Sequence, residues 1–215
     1  MLSPPARIAV LGATGSVGRL IVDRLLALRL AVTAQTRLAA RLADVAGKVN
    51  VTAFDPVRAD GYGRFLVGAD AVIFALGTRT LRATTLFSDA TRHLLAAMGE
   101  AGVFRLVAVT GVGAGKTRGH GGLMYNHLIF PFFTARMYAD KDRQERLIAA
   151  SDLDWTILRP APFRETVPET EMAVVTQVPA DLQLRAITRD EVADMAVRCL
   201  TDGLYSRQKV FFGHA

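Results

Sequence analysis

The chemistry that the sequence offers most clearly is phosphate binding by a glycine-rich turn. Gly12, Gly15 and Gly18 stand three residues apart, directly after an apolar run at residues 8–11 that is typical of a buried strand. The segment that follows repeats apolar residues every three or four positions, as one face of a helix does. Such a strand, turn and helix present backbone N–H groups and a positive helix end to a phosphate. The alternative interpretation is an ordinary tight turn between a strand and a helix, without a ligand. The candidate pyrophosphate-binding residues are Gly12, Thr14, Gly15, Ser16, Val17 and Gly18.

Two arginines beyond the second predicted strand could select a phosphorylated dinucleotide. An NAD site usually carries an Asp or Glu about 20 residues past the glycine turn, where it holds the ribose 2′-hydroxyl. No acidic residue lies between Leu30 and Ala43, and Arg37 and Arg41 stand there four residues apart. A guanidinium can bind a 2′-phosphate through two hydrogen bonds and can stack on adenine. This spacing favours NADP(H) over NAD(H), with a pair of solvated surface arginines as the alternative.

The ends of the third and fourth predicted strands carry side chains that could complete the nucleotide site. The Asp55 carboxylate could accept a hydrogen bond from the adenine amino group, or it could hold a turn. Gly77 would allow close approach to the cofactor ribose, and Arg79 would add positive charge near the pyrophosphate. The candidates at these two strand ends are Phe54, Asp55, Leu76, Gly77, Thr78 and Arg79.

The elements that would position these residues alternate along the chain. Apolar runs predict six strands, at residues 8–11, 31–35, 49–54, 71–76, 105–110 and 155–159. Helical patterns lie between them, at residues 18–28, 38–46, 62–67, 84–101 and 132–150. This alternation predicts an α/β fold, a Rossmann-like doubly wound parallel sheet with helices on both faces. Ligands of such sheets bind at the carboxyl ends of the strands, where the candidate residues lie.

Bulk composition limits the classes of protein and partner. The chain has 215 residues, 51% of them hydrophobic, and no repeat or linker divides it, so we expect one domain over residues 1–215. The 26 Lys and Arg residues exceed the 20 Asp and Glu residues but are scattered, which favours attraction of a phosphate-rich cofactor over nucleic-acid binding. The apolar stretch at residues 123–133 is too short to span a bilayer. Cys199 is the single cysteine and residues 1–6 carry no secretory signal, so we expect a cytoplasmic protein without disulfides.

Four stretches of the chain carry a family resemblance: residues 12–18, 68–79, 151–160 and 187–200. Together they resemble the atypical short-chain dehydrogenase/reductase superfamily in its NAD(P)-binding, NmrA-like group, and most closely the biliverdin reductase B/flavin reductase branch. The resemblance implies NADPH binding, with both arginines at the positions that hold the 2′-phosphate. We also expect a small C-terminal annex on the substrate side, with its substrate-side elements mainly at residues 111–138 and 160–188.

The resemblance further implies which residues surround the nicotinamide end of the cofactor. Backbone at residues 160–162 would line the nicotinamide, and Lys141 matches the position that contacts the nicotinamide ribose. Phe163 could stack against a planar acceptor. The candidates at this end are Thr110, Gly111, Lys141, Pro160, Ala161, Pro162 and Phe163.

Two departures from the family pattern concern catalysis. Many members pair a tyrosine and a lysine four residues apart, whereas Tyr138 and Lys141 stand three apart, still within reach of one helix face. Tyr138 is therefore either a proton donor or a packing aromatic, and the proton could instead come from water, His120, Tyr125 or His127. The serine that the flavin-reductase branch carries after the fifth strand is Gly111 here, which leaves the Thr110 hydroxyl at the nicotinamide edge. The catalytic candidates are Lys141, Tyr138 and Thr110.

These residues support two functions. The first is an NADPH-dependent reductase that transfers hydride to a planar or conjugated acceptor such as a flavin or quinone, because the cofactor supplies the chemistry and the protein stacks two rings. Residues 123–133 would then wall an apolar acceptor pocket, unless they pack in the core. The second is a non-catalytic NADP(H) sensor, which the two departures keep open. A sugar epimerase ranks lowest, since 55 residues follow Pro160. We expect a monomer or homodimer without a metal site.

Overall fold

The computed structural model describes residues 6–78, 84–111 and 135–215, and for residues 135–138 the backbone alone. Within these residues the strands are β1 Arg7–Leu11, β2 Ala31–Thr36, β3 Asn50–Ala53, β4 Ala71–Phe74, β5 Arg105–Val109, β6 Asp154–Pro160, β7 Ala173–Val175 and β8 Gln208–Gly213. The α-helices are α1 Ser16–Ala27, α2 Tyr62–Phe65, α3 Leu86–Ala101, α4 Ala135–Ala149 and α5 Arg189–Thr201. A 3₁₀ segment covers Ala39–Val45.

The strands form one sheet whose order reverses at β1. The spatial order is β3-β2-β1-β4-β5-β6-β8-β7, and every pair is parallel except the antiparallel β7–β8 pair. β1 pairs with β2 on one side and with β4 on the other, so successive crossovers run in opposite directions from it. A crevice therefore opens between the carboxyl ends of β1 and β4. The predicted doubly wound parallel sheet is confirmed.

Two apolar clusters cover the two faces of the sheet. Along β1 the residues alternate between them, with Ile8 and Val10 in one cluster and Ala9 and Leu11 in the other. Helices α1 and α5 supply the first cluster, whereas α2, α3 and Ile148 of α4 supply the second. Because both faces of the central strands are buried, their sequences are continuously apolar rather than alternating.

The carboxyl-terminal part of the sheet and one helix type differ from the prediction. The six predicted strands are present. Two further strands, β7 and β8, and one further helix, α5, were not predicted. Helix α5 begins with a capping box, in which Glu191 N donates to Thr188 Oγ1 at 3.2 Å and Thr188 N donates to Glu191 Oε2 at 2.8 Å. In place of the helix predicted at residues 38–46 there is a 3₁₀ segment, which is interrupted at Leu42, where φ is −118° and ψ is 17°.

The predicted substrate-side annex is described in its second part only. After β6, Phe163 forms a parallel bridge with Ile187, and Arg164 N donates to the Ile187 carbonyl at 3.0 Å. Strand β7 then adds to the outer edge of β8. Residues 161–188 thus lie at the carboxyl ends of β6 and β8. Of residues 111–138, Gly111 and the backbone of 135–138 are described, and the rest lie outside the described residues.

The glycine turn is required by close packing of the protein on itself. Gly12 has φ +89°, and a Cβ there would lie 2.8 Å from the Ala75 carbonyl oxygen at the end of β4. A Cβ on Gly18 would lie 2.1 Å from the Gly12 carbonyl oxygen. Glycines at these two positions therefore let α1 approach the ends of β1 and β4.

Replacing Gly18 by alanine should destabilise the fold, because the clashing atom belongs to the backbone and cannot rotate away. We expect Gly18→Ala to lower the free energy of unfolding by about 3 kcal/mol. Gly99→Ala is the matched control, since Gly99 lies in α3 with open space around a Cβ and should gain up to about 1 kcal/mol of helix propensity. Urea unfolding followed by circular dichroism measures both. Equal midpoints for Gly18→Ala and the wild type would contradict this account of the turn.

Candidate functional site

A cleft of about 530 Å³ lies at the carboxyl ends of the strands around the point where the sheet order reverses. Ten residues predicted for the nucleotide site line it: Gly12, Thr14, Gly15, Ser16, Arg37, Arg41, Asp55, Leu76, Gly77 and Thr78. They come from four separate parts of the chain, and the parallel sheet brings them together at one edge. Gln35, Thr36, Pro56 and Leu86 also line the cleft, and the sequence analysis did not single them out.

The amino end of α1 is the part of the cleft best suited to an anion. Gly15 precedes the helix without a side-chain cap, and no acidic residue lies in the first turn. The first N–H groups of a helix have no partner inside it, so they are available to a bound anion. Val17 and Gly18 belong to this turn, but the Val17 side chain is buried in the core and Gly18 packs on Gly12.

The side chain of Gln35 connects the glycine turn to a neighbouring strand end by hydrogen bonds. Its side chain is 2% exposed. Gly12 N donates to Gln35 Oε1 at 3.0 Å, and Gln35 Nε2 donates to the Phe54 carbonyl at 2.8 Å. One amide thus joins the ends of β1, β2 and β3. The signal in the sequence was a polar residue inside an apolar strand, since a buried amide needs partners for both of its polar atoms.

Arg37 and Arg41 lie exposed at the edge of the cleft, and no carboxylate among the described residues pairs with either. The Thr36 hydroxyl donates to the carbonyl two residues on at 3.1 Å, which fixes the turn that carries Arg37. Arg19 of α1 differs, because its Nη1 donates to Asp44 Oδ1 at 3.0 Å and the pair joins α1 to the 3₁₀ segment. Within the described part of the cleft, the guanidiniums of Arg37 and Arg41 are therefore exposed and are not neutralised by an ion pair.

Residues at the ends of β3 and β4 divide between the cleft and the core. Asp55 Oδ1 accepts a hydrogen bond from Val57 N at 3.3 Å, so this carboxylate holds a turn while it also lines the cleft. The Phe54 ring packs on the Tyr62 ring in the core, with centroids 4.8 Å apart. The backbone carbonyl of Phe54 is connected to the cleft by the hydrogen bond that it accepts from Gln35. Arg79 lies outside the described residues.

Lys141 is buried at the carboxyl end of β5. Its Nζ donates to the Thr110 carbonyl at 2.6 Å and lies 4.6 Å from the centroid of the Phe87 ring. The Thr110 hydroxyl has protein acceptors on both sides, Glu145 Oε1 at 2.8 Å and the Leu158 carbonyl at 3.2 Å. Two of the three predicted catalytic residues therefore lie together. The third, Tyr138, belongs to α4, and its side chain is outside the described residues.

Glu145 is a buried acid at this end of the site that the sequence analysis missed. Arg159 Nε donates to its Oε1 at 3.1 Å, Arg159 Nη2 donates to Oε2, and Lys209 Nζ lies 3.4 Å from Oε2. Burial alone would raise the pKa of Glu145, but Arg159, Lys209 and the Thr110 hydroxyl outweigh burial and hold the pKa below its usual range. Glu145 is therefore ionised at neutral pH. The spacing of Lys141 and Glu145, four apart on a helix, was the available signal.

The ammonium of Lys141 is held in a position where water is scarce. Burial lowers its pKa to about 8, against the raising effect of the Glu145 and Asp140 charges. At neutral pH the side chain is therefore mostly protonated and acts as a hydrogen-bond donor. It becomes a neutral amine at a lower pH than an exposed lysine does.

Residues after β6 form the rest of the predicted nicotinamide end. Pro160 ends β6, and Ala161 N donates to the carbonyl of residue 212 at 2.9 Å, which fixes the backbone there. Pro162 is half-buried, and the Phe163 ring is 37% exposed. The Arg189 guanidinium lies 5.1 Å from the centroid of that ring and so covers part of it. Gly111 has a backbone φ of +150°.

A model of a family described as NAD(P)H-binding matches residues 12–203, and the chain belongs to this family. Over 139 residues it is 29% identical to a protein described as the uncharacterized sugar epimerase YhfK of Bacillus subtilis (strain 168). That match covers 63% of this chain and 58% of the relative, so the chain spans less than two thirds of the relative's length.

Solved structures share the fold at low sequence identity. A wide-type short-chain dehydrogenase/reductase from Veillonella parvula DSM 2008, in complex with NADP, superimposes with a TM-score of 0.79 at 15% identity, over 98% of this chain and 95% of that one. ChuY, an anaerobillin reductase from Escherichia coli O157:H7, superimposes with a TM-score of 0.81 at 20% identity, over 97% of each chain. These likenesses establish the Rossmann-like fold. In the described part of the chain, every helix is too short or too polar to cross a membrane.

The buried Lys141 should make the stability of the protein depend on pH in a defined window. Between about pH 8 and 10.5 the unfolded chain binds more protons at this side chain than the folded chain does, so the free energy of unfolding rises with pH. The Lys141→Met variant has no titrating group at this position, so it lacks this pH-dependent contribution to the free energy of unfolding. We expect the wild type to gain roughly 3 kcal/mol relative to the variant across the window. Paired urea unfolding curves measure the difference, and a difference independent of pH would contradict the burial of the ammonium.

Proposed function

We propose that the protein is an NADPH-dependent reductase that transfers hydride to a planar, conjugated acceptor such as a flavin or quinone. The observation that carries the proposal is a single edge of the sheet with three features. These are an uncapped helix end at Ser16, two exposed arginines without a described carboxylate partner, and a buried lysine ammonium. Together they match the pyrophosphate, the 2′-phosphate and the nicotinamide ribose of NADPH.

The residues of the cleft fit the adenine half of the cofactor. The close approach of backbone at Gly12 and the free N–H groups at the start of α1 leave space and donors for the pyrophosphate. Arg37 and Arg41 bind the 2′-phosphate, and Asp55 accepts from the adenine amino group. Leu76, Gly77 and Thr78 contact the adjacent ribose, with Arg79 as a further cation in this proposal.

At the other end, Lys141 donates to the nicotinamide ribose, and backbone at Gly111 and residues 160–162 orients the nicotinamide. When bound, NADPH supplies the hydride. The ring of Phe163 offers a flat apolar surface for the acceptor. Tyr138 is the proposed proton donor, because the Thr110 hydroxyl already has protein acceptors. The reductase ChuY and the NADP complex of the Veillonella protein support this direction.

A second candidate function is a non-catalytic NADP(H) sensor. It is favoured by the commitment of the Thr110 hydroxyl to Glu145 and by the three-residue spacing of Tyr138 and Lys141. Under this function the same cleft binds the cofactor, and the nicotinamide end transfers no hydride.

The 2′-phosphate assignment predicts a selective loss of affinity. Arg37→Glu should weaken NADPH at least about 100-fold, because it exchanges an attractive charge on the phosphate for a repulsive one, and it should weaken NADH much less. Arg146→Glu is the control, since it makes the same change of net charge at an exposed position near the end of α4. Fluorescence titration with both nucleotides measures this. Equal losses for NADPH and NADH in Arg37→Glu would rule out the assignment.

Turnover separates the two functions. We expect the purified protein to oxidise NADPH when flavin mononucleotide or a quinone is present, and we expect Lys141→Met to lower kcat/KM by about 100-fold through loss of cofactor orientation. Absorbance at the NADPH band follows the reaction. Tight NADPH binding without turnover on any acceptor would overturn the reductase and support the sensor.

A further inference from the structure

One buried carboxylate connects the residues around Lys141. Glu145 lies four residues after Lys141 on α4, so the two side chains share a helix face. Glu145 is 2% exposed, and its oxygens are contacted from three other elements: Thr110 after β5, Arg159 on β6 and Lys209 on β8. A carboxylate this deep in a protein is tolerated because both of its oxygens are paired.

We propose that Glu145 is a positioning residue for Lys141, acting through Thr110 and through its own charge. The Thr110 hydroxyl donates to Glu145 at 2.8 Å, and the carbonyl of the same threonine accepts from Lys141 Nζ at 2.6 Å. Glu145 thus fixes the group that orients the ammonium. Its negative charge also stabilises the ammonium where burial opposes it. The inference rests on the proposed function, because that function assigns Lys141 to the nicotinamide ribose.

Burial and the neighbouring carboxylates have opposite effects on the charge of the Lys141 ammonium. Two described carboxylates, Glu145 and Asp140, favour its charged form. Each already has cationic partners: Arg159 and Lys209 contact Glu145, and Arg143 Nη2 lies 3.1 Å from Asp140 Oδ1. The two carboxylates stabilise the ammonium and burial opposes it, while α3 contributes the uncharged Phe87 ring. With burial included, the pKa of Lys141 is about 8. Without the Glu145 charge, Arg159 and Lys209 would lose the carboxylate that they share, and the ammonium would keep only the weaker effect of Asp140, which Arg143 already pairs with.

The direction in which the pKa of Lys141 moves distinguishes a positioning charge from a packing role. If Glu145 served packing alone, the nearly isosteric Glu145→Gln would leave the pKa of Lys141 unchanged, or would raise it towards 10.5 if the site loosened and admitted water. If Glu145 stabilises the ammonium, the same substitution lowers the pKa below about 8.

The experiment measures acylation of Lys141 by acetic anhydride as a function of pH in the cofactor-free protein, with the labelled peptide quantified by mass spectrometry. Only the neutral amine reacts, so the midpoint of the profile reports the pKa. We expect Glu145→Gln to move the midpoint to lower pH and to speed labelling below it by about threefold or more. Glu100→Gln is the matched control at the far end of α3 from Phe87, roughly 20 Å away, and should leave the profile unchanged. An unchanged or higher midpoint in Glu145→Gln overturns the proposal.

A second variant keeps the proposal testable if Glu145→Gln does not fold. Lys209 is partly exposed, with 35% of its side chain accessible, so Lys209→Gln should be tolerated. It removes one cation that neutralises Glu145, and we expect the midpoint for Lys141 to move to higher pH. An unchanged midpoint there also overturns the proposal. Because neither NADPH nor an acceptor enters the assay, its outcome is independent of whether the protein turns over.

Discussion

The cleft depends on two hydrogen bonds from one buried amide. Gln35 accepts from Gly12 N and donates to the Phe54 carbonyl, and so it joins three strand ends that no turn connects directly. Without these bonds, two buried backbone groups would lose their partners, each at a cost of about 1–3 kcal/mol. Backbone hydrogen bonds join the same strand ends, from Ala13 N to the Gln35 carbonyl at 3.2 Å and from Phe54 N to the Thr36 carbonyl at 3.0 Å.

The proposed nicotinamide end is organised around Glu145 in a comparable way, but the interactions there are between charges. Helix α4 brings a lysine and a glutamate to the ends of β5 and β6, and the arginine of β6 neutralises the glutamate. Buried charges are stable in such a group only when several are satisfied together. The two ends of the site therefore differ: an uncharged amide shapes the first, and a set of ionised side chains shapes the second.

Most features that depend on local sequence patterns were predicted correctly, whereas interactions between residues that are distant in the sequence were not. The glycine turn, the alternation of strands and helices and the two arginines are local, and the structure brings them to one edge as expected. Gln35 and Glu145 left only weak local signals, and their roles depend on distant partners, since Glu145 pairs with Thr110 35 residues away and with Arg159 14 residues away. Strand β8 was missed because its apolar run is short, and α5 could have been found from the Thr188 and Glu191 capping box.

The exposed pair of arginines also links ligand binding to the stability of the fold. Arg37 and Arg41 carry like charges at the edge of a cleft that the electropositive amino end of α1 also lines, and no described carboxylate pairs with either. Under the proposed function, a bound dianion would relieve the repulsion between these like charges. Relief of this kind adds to the attraction itself, and it makes the fold more resistant to heat whenever the ligand is abundant. The field of the two guanidiniums reaches about 8 Å into solvent at physiological ionic strength, so it also guides a polyanion towards the opening.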